Sequence, residues 1–565
     1  MKTTKQECEY IRYQAKRKFD KFRGTWCDLL RWALPYRATW ILSQTPGERK
    51  NQHIVDPTHT LALRSAVAGF LEGNTSTTRP WYRIATRDSE RNENAENKAW
   101  LQHFTDRTLS YLASSNFYEA VGEFYYDYHV VNTGAQYFEE LPEGGFHVHT
   151  FVPGSYFVIN DSRGVANILV REFALNVKSI VDTYAKDQLG KIDWTNVSSN
   201  VKKMYEDKNY STMVDLVHLM KENPEFDPAN PNQPFKKKWL EITYEAGAGT
   251  GHASNESQPF IEDGENIKFL KRHTRSRKPF VVGKSTKTSE YGEKGATLDA
   301  LGLIKSLNKK AISKDQALEQ IVHPALQGPA TLRKSYISSA PNTFVPLDAR
   351  SMSAGQKLES INNINPAIGA LIQDVGEMRQ MVDKIYYADF LLYLTNNPKT
   401  RTATETNAIV GEQQRIIGPS LQSLNFTYNV PVIEFVMEYV LEEDPFLREP
   451  PEGLRGQSLK PQFVSIFAQA QKAADLPAVD RYIAMMGQVA QMDPSVLDKV
   501  NLDELADIYE DRLYLPAGLN RPQTEVDEGR AQAQRQAQEQ QRMTETIPAM
   551  AKAAKDASAA QSLQR

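Results

Sequence analysis

The tightest constraint on this chain is a change of period near residue 290. Before it, short runs with strand-like alternation are mixed with helical stretches; after it, apolar residues recur every three or four positions over long spans. Residues 296–323 place Leu298, Leu301, Ile304, Leu307, Ala311, Leu318 and Ile321 on one stripe, with Lys305, Lys309, Lys310 and Lys314 off it. A Pro- and Ser-containing non-helical segment, about 324–353, intervenes. A second helix then opens at the cap and first-turn pair Asn365-Pro366 and carries Ile368, Leu371, Val375, Met378, Val382 and Ile385 on to Tyr393. Two helices of 25–30 residues are each ~40–45 Å long, and would bracket a small module projecting at their far end.

The first 290 residues read as a mixed α+β domain. Residues 5–34 predict an amphipathic helix through Ile11, Ala15, Phe19, Phe22, Trp26, Leu29 and Leu30, closed by Pro35. Its other face carries Arg12, Lys16, Arg17, Lys21 and Arg23, read as the solvated or subunit-facing side of a docked helix rather than a membrane-surface helix. Further helices are expected over 56–73, opened by Asp56-Pro57, and over 96–113 and 117–133. Residues 146–175 predict two strands joined at Asp161-Ser162-Arg163-Gly164; 178–223 mix helix and strand. KKKWLEITYEAG and ENIKFLKRHT predict two more strands with a Gly-rich loop between them.

A chain of 565 residues is too long for one core, so two to four domains are expected. Net charge of −3 argues against a simple nucleic-acid binder, though not against a protein that lets DNA slide past. Cys8 and Cys27 lie 19 residues apart on one helical pattern, roughly 28 Å, so they cannot pair within it, and such sparse cysteine usage fits a reducing compartment. No 18-residue apolar run and no signal-peptide core are visible, so neither a membrane span nor secretion is expected.

Sites for chemistry are scarce. His147 and His149 alternate on one strand face, which could start a metal site, but no third ligand is near, and a partly exposed strand face is the better reading. Gly247, Gly249 and Gly251 form a GxGxG run without the following helix a phosphate loop needs, so a hairpin tip is expected. Lys271, Arg272, His273, Arg275, Arg277 and Lys278 divide evenly between phosphate contact and a strand end facing acidic neighbours. No catalytic constellation, cofactor site or metal site stands out.

Residues 398–443 open on a short basic loop, part of the polar, helix-breaking run Asn396-Asn397-Pro398-Lys399-Thr400-Arg401. Thr402 and Glu405 have capping-box spacing, so a helix starts there, with Gly418-Pro419 and Pro431 set to kink or divide it. Residues 445–456 are a Pro/Gly linker, 461–522 are helical, and the last forty residues are Ala/Gln-rich.

Several motifs in order resemble one family, the portal (head-to-tail connector) proteins of short-tailed bacteriophages. They are WALPYRA, Arg79-Pro80-Trp81-Tyr82, SSNFYEA, Asn132-Thr133-Gly134-Ala135, DSRG, VREFAL, the run PFVVGKSTKTSEYGEKGATLDALGLIKSLNK with Tyr291-Gly292 and Gly295, TATET, and FVSIFAQAQKAADLPAVDRYIAMM with DPSVLDKVNLDEL downstream. The resemblance spans most of 1–530; the loop at 245–262 looks like an insertion, and the tail is too generic to align.

That resemblance implies an α+β, predominantly helical portal-type fold. By position, 1–290 is a wing, 291–323 a first stem helix, 324–353 a clip, 354–392 a second stem helix and 393–401 a tunnel loop. Residues 402–444 match a long kinked wing helix, 445–525 a crown, and 526–565 a barrel or an unstructured tail. It further implies a non-enzymatic dodecameric ring at a capsid vertex of a virion assembled in host cytoplasm. Double-stranded DNA would pass through it, and terminase, scaffolding protein, major capsid protein and tail adaptors would dock on it. Lys399 and Arg401 would touch DNA weakly, with Asp374, Glu377 and Asp383 as candidate acidic lining and Lys305 and Lys309 lining the channel or bridging subunits. The rival class is a cytoplasmic metal- or nucleotide-dependent enzyme with a helical oligomerisation module, which requires a closed site around His147 and His149.

Overall fold

The computed structural model describes residues 4–42, 47–88, 91–92, 94–186, 190–231, 233, 236–246, 269–322, 326–327, 359–360, 368–388, 417–464, 476–490, 505, 509, 526 and 529–536. The chain divides into two compact units. The larger comprises 1–85, 102–450 and 459–467; the smaller comprises 86–101, 451–458 and 468–565.

Helix α1 (Lys5–Ala33) starts at a capping box: Thr4 Oγ1 accepts from the Glu7 backbone N–H, and the Glu7 side chain accepts from that of Thr4. Its inner face buries Cys8, Ala15, Phe19, Trp26, Leu29 and Leu30. Phe19 and Trp26 meet the Tyr291 ring at 5.7 and 5.1 Å, edge on. The expected basic outer face is only partly that. Arg12 is buried, its Nε 2.8 Å from Glu172 Oε1, and Lys16 reaches the same carboxylate at 3.4 Å. A helix this close to the sheet carrying Glu172 turns two of its five cations inward.

Helices α2 (Thr58–Asn74), α3 (Ala95–Ser114) and α4 (Phe117–Val131) follow the sequence expectation within two residues at each end. The N-cap of α2 is Pro57 rather than the expected Asp56, which stands one residue earlier and accepts from the Thr58 N–H with Oδ1 at 3.0 Å. Between α2 and α3, β1 (Tyr82–Ala85) pairs antiparallel with the strand Lys460–Phe463.

Two antiparallel sheets hold the rest of the first 290 residues. One has the order β3-β2-β9, from β2 (Thr133–Glu140), β3 (Phe146–Thr150) and β9 (Phe280–Lys284). The other runs in sequence order through β4 (Tyr156–Asn160), β5 (Ala166–Asn176), β6 (Met213–Glu222), β7 (Trp239–Glu245) and β8 (Phe269–Arg275). Between β5 and β6 lie a short helical turn over 177–185 and α5 (Ser199–Glu206), whose apolar residues cover one face of the second sheet.

The single strand expected over 146–160 is therefore two strands in different sheets. The chain switches at Val152-Pro153-Gly154, where Gly154 has φ +90° and packs under Ile41. The hairpin at Asp161–Gly164 is as expected, with Asp161 accepting from the Arg163 and Val165 N–H groups. Strands β2 and β9 escape a periodicity reading because both are buried nearly throughout. Gly134 and Gly283 face each other across them and open a slot for the Phe124 ring, which stacks on Tyr428 at 3.8 Å.

Helix α6 (Ala296–Val322) matches the first long helix; α7 (Ile368–Ile385) is interrupted by a turn at Tyr386-Tyr387, Ala388 is helical again, and 389–393 lie outside the described residues. Tyr387 takes φ +53°, its N–H turns back to Lys384 O, and the Tyr386 hydroxyl is held by Thr297. A positive φ is costly for a tyrosine, and here it accompanies the bond that holds the neighbouring Tyr386 hydroxyl. Residues 417–424 are helical through Gly418-Pro419; a π-turn over Asn425–Asn429 then leads into α8 (Val430–Glu443). That widened turn accommodates Pro431, whose ring cannot sit against the carbonyl four residues back. In the smaller unit, Asn92 Oδ1 accepts from the Thr86 N–H and hydroxyl, Asn97 donates to Arg91 O, and Arg91 donates to Gly453 O. Its longest described helix is α9 (Leu476–Ala490).

One corner ties these parts together. Asn132 ends α4 in the left-handed conformation, φ +63°, and β2 starts at the next residue. Its carbonyl accepts from Ser285 N–H at 3.1 Å, and Thr133 Oγ1 accepts from Gly292 N–H at 2.7 Å. A Cβ on Gly292 or Gly295 would overlap Asn132 itself, so the entry to α6 must be glycine where it crosses the corner. Gly295→Ala is expected to cost about 1–3 kcal/mol through overpacking, read as a lower urea midpoint with an unchanged slope. A variant as stable as the parent would contradict this account of the corner.

Candidate functional site

Helices α6 and α7 form an antiparallel hairpin. Thr297 meets Tyr386, Leu307 packs with Val375 and Met378, and Lys310 pairs with Asp374. The register continues into a short ladder of β10 (Leu326–Gln327) and β11 (Glu359–Ser360), with Leu326 opposite Ser360. Residues 328–358, where the sequence reading expects a small module, lie outside the described residues. The 27 residues of α6 span ~40 Å.

The foot of the hairpin is clamped to the mixed domain by polar bonds. Asn308 Oδ1 accepts from the Val55 and Asp56 N–H groups at 2.7 and 3.0 Å. Arg379 sends Nε and a terminal nitrogen to Asp56 Oδ2, at 3.0 and 2.7 Å. Lys305 Nζ lies 3.0 Å from Asp28 Oδ2 on α1. Thr297 Oγ1 donates to His129 O on α4. These contacts run from Thr297 to Asn308, the first half of α6, and to Arg379 on α7, so the hairpin, called the arm below, is fastened to the mixed domain over that half.

The named residues of this arm fall in different places. Lys305 is engaged with Asp28, and Asp374 with Lys310 across the hairpin. Lys309 and Glu377 are exposed, Glu377 accepting from Gln373 one turn earlier at 3.0 Å, and Asp383 is half-buried. Lys399, Arg401, Thr402 and Glu405 lie outside the described residues, as do the glycines at 247, 249 and 251. Apolar side chains also break the arm's surface: Ile312 and Leu318, and more fully Val322, Ile372 and Met381. Sequence reading had put Leu318 on the buried stripe; in the monomer it is not covered.

The other candidates resolve as structural groups. Arg275 is buried against Glu241, Nε to Oε1 at 2.7 Å, and donates to the Tyr137 hydroxyl and Phe138 O. Arg277 joins Glu140 and Glu442 and lies over the Tyr439 ring. Lys278 bonds Ala166 O, and burial pulls its ammonium down to about 8. These three cations of the cluster are consumed within the subunit; Arg272 lies 3.7 Å from Glu225. His149 Nε2 sits 2.9 Å from Glu139 Oε2, while His147 faces Asn116. No group of three metal-ligating side chains occurs among the described residues, and no described helix is long and apolar enough to cross a membrane.

Residues 5–519 match the family described as bacteriophage head to tail connecting protein. The chain belongs to that family. It is 27% identical over 537 residues to the portal protein of Salmonella phage epsilon15, covering 94% of this chain and 91% of that one. It is 29% identical over 518 residues to a probable portal protein of Bordetella phage BPP-1, covering 91% and 88% respectively. The α+β architecture of this head-to-tail connecting protein agrees with the resemblance read from its motifs.

The Asp56 clamp has a measurable pH signature. Burial works against its carboxylate, but bonds from Thr58 and Arg379 outweigh this and hold its pKa below the ordinary 3.8. A depressed acid contributes stability that is present above the unfolded pKa and is lost as pH falls through the folded one. Arg379→Ala is expected to cost about 1–2 kcal/mol at pH 7 and to move the acid-unfolding midpoint upward, followed by circular dichroism. An unchanged midpoint would show that the clamp does not hold the arm.

Proposed function

We propose that this chain is a portal subunit: twelve copies close into a ring at one capsid vertex, and double-stranded DNA passes through it during packaging and ejection. The observation that carries this reading is membership of the head-to-tail connecting family over residues 5–519. The geometry supports it. Exposed apolar residues on both helices of the arm suit side-by-side packing of arms from neighbouring copies. The mixed domain would then be the wing, α6 and α7 the stem, the segment between β10 and β11 the clip, and 393–401 the tunnel loop. Residues 402–444 would be the kinked wing helix, 445–525 the crown and 526–565 the barrel or tail.

In this reading the protein is a conduit without enzymatic activity. A separate terminase ATPase drives DNA, and scaffolding protein, major capsid protein and tail adaptors dock on the ring. A mainly acidic channel keeps phosphate from sticking, with Lys399 and Arg401 adding weak, salt-sensitive contacts. Glu377 and Asp383 remain candidates for the acidic lining, along with Asp374, whose charge is half-offset by Lys310. Lys309 is the stem cation better placed to reach the channel or a neighbour, because Lys305 is held by Asp28.

Electron microscopy of the purified protein is the direct test. Rings with a central hole wide enough for duplex DNA are expected; compact monomers or dimers with stoichiometric metal would instead favour the enzyme reading. Within rings, replacing both Lys399 and Arg401 by Ala is expected to reduce retention of packaged DNA while leaving ring assembly intact. Packaging and retention equal to the parent would remove these two residues from the channel.

A further inference from the structure

Helix α1 is 29 residues long, and the mixed domain uses one side of it. At 100° per residue, Tyr10, Tyr13, Arg17, Lys21, Gly24, Asp28 and Arg31 fall within about 80° of one another, directly opposite the buried stripe. Asp28 is taken by Lys305. Arg17, Lys21 and Arg31 are exposed, and none forms an ion pair with a described residue, whereas Arg12, Lys16, Lys18 and Arg23 on the flanks all do. Tyr10 and Tyr13, 53% and 41% exposed, extend the line toward the N-terminus. Arginine and tyrosine are the side chains that most often anchor protein interfaces.

A complementary surface lies on α8. Its inner side buries Phe435, Val436, Tyr439 and Val440, and its outer side presents Glu434, Glu438 and Glu442 one turn apart, with Glu443 beside them. Like charges at four-residue spacing repel. Arg277 answers Glu442 at 2.8 Å, but Glu434 and Glu438 have no ion-pair partner among the described residues. Burial, and for Glu438 also Glu434 and Glu442, pushes these two carboxyls upward. The two charged faces belong to different layers. Helix α1 lies on the five-stranded sheet through Glu172 and Phe157, and α8 on the three-stranded sheet through Phe138 and Phe146.

We propose that the Arg17–Lys21 stripe of α1 docks on the Glu434–Glu438 column of α8 in a second copy of this chain. This rests on the ring reading above and names its subunit contact. Unlike patches on different layers of one subunit make a heterologous contact, the kind that closes into rings. The spacing agrees: each pair of charges is four residues, about 6 Å, apart along its helix. Duplex DNA fits the stripe less well. Arg17 to Arg31 spans about 21 Å, a length over which a duplex carries roughly twelve charges against three free cations.

Charge reversal tests the contact. The double variants Arg17→Glu/Lys21→Glu and Glu434→Lys/Glu438→Lys are each expected to lose rings at least tenfold, by native mass spectrometry and electron microscopy, with helical content unchanged. Mixing the two variants should restore rings in which they alternate, since each then offers the other a matched pair of faces; the quadruple variant should assemble alone. Rings that persist in either double variant, or that neither mixing nor the quadruple variant restores, would overturn the proposal. So would loss of binding to a 30-base-pair duplex with ring formation untouched. Parent protein that forms no rings under the same conditions would sink the ring reading itself, a result distinct from rings that survive charge reversal.

Discussion

The whole larger unit hangs on the left-handed turn at Asn132. There α4 becomes β2 within one residue, so the helix must end without the usual unwinding turns. Asparagine tolerates that conformation where a β-branched or bulky residue would not. The turn brings the Asn132 carbonyl onto Ser285 N–H and the Thr133 hydroxyl onto Gly292 N–H, which fixes where β9 ends and where α6 begins. Because α6 is the first helix of the arm, the arm's direction is set by two glycines and one asparagine far from its tip.

Buried charges then specify how the outer layers sit on that corner. Arg37 forks onto both oxygens of the fully buried Asp127, at 2.8 and 2.6 Å, and joins α4 to the turn after α1. Arg12 and Glu172 join α1 to β5; Arg275 and Glu241 join β8 to β7 under Tyr137. Lys284, wholly buried, gives its ammonium to Asn160 Oδ1 and to the carbonyls of Gly164 and Ser289. Such pairs add modest net stability after desolvation, yet breaking one strands a charge in a dry interior. Their effect is to exclude alternative packings of a domain whose aromatic core alone would accept several.

This explains which parts were legible in sequence. The long helices were, because an amphipathic stripe over twenty residues admits few other readings. The DSRG turn was too, since Asp161 and Gly164 each answer a local backbone requirement. Strands β2 and β9 were not: their signal lies in facing glycines and in Lys284, which looks like a surface residue until the three oxygens around it are known. The turn that interrupts this helix at Tyr386-Tyr387 was missed because it goes with a tertiary bond from Tyr386 to Thr297 rather than with a proline or glycine. The basic run at 271–278 stood even between phosphate contact and acidic neighbours in sequence, and acids from distant β2, β7 and α8, which neutralise two of its arginines, favour the second. Six motif residues of the larger unit that carried the family resemblance do act together: Arg37, Gly134, Gly164, Glu172, Tyr291 and Gly295 all support the corner or the layers around it.

The arm sets polar and apolar contacts to different tasks. Its clamp residues are polar and satisfied within the subunit, whereas its length is left with apolar side chains exposed to water. A free monomer gains nothing from Val322, Ile372 or Met381 on its surface; burying each is worth about 1.5–3 kcal/mol, realised only when another chain covers it. A stiff foot also makes that burial efficient, because an arm already oriented loses little conformational freedom on packing. In the proposed ring, the corner at Asn132 would act on assembly without touching a partner: it presents two long helices at one angle, and only a uniform angle would let identical arms pack in a closed circle.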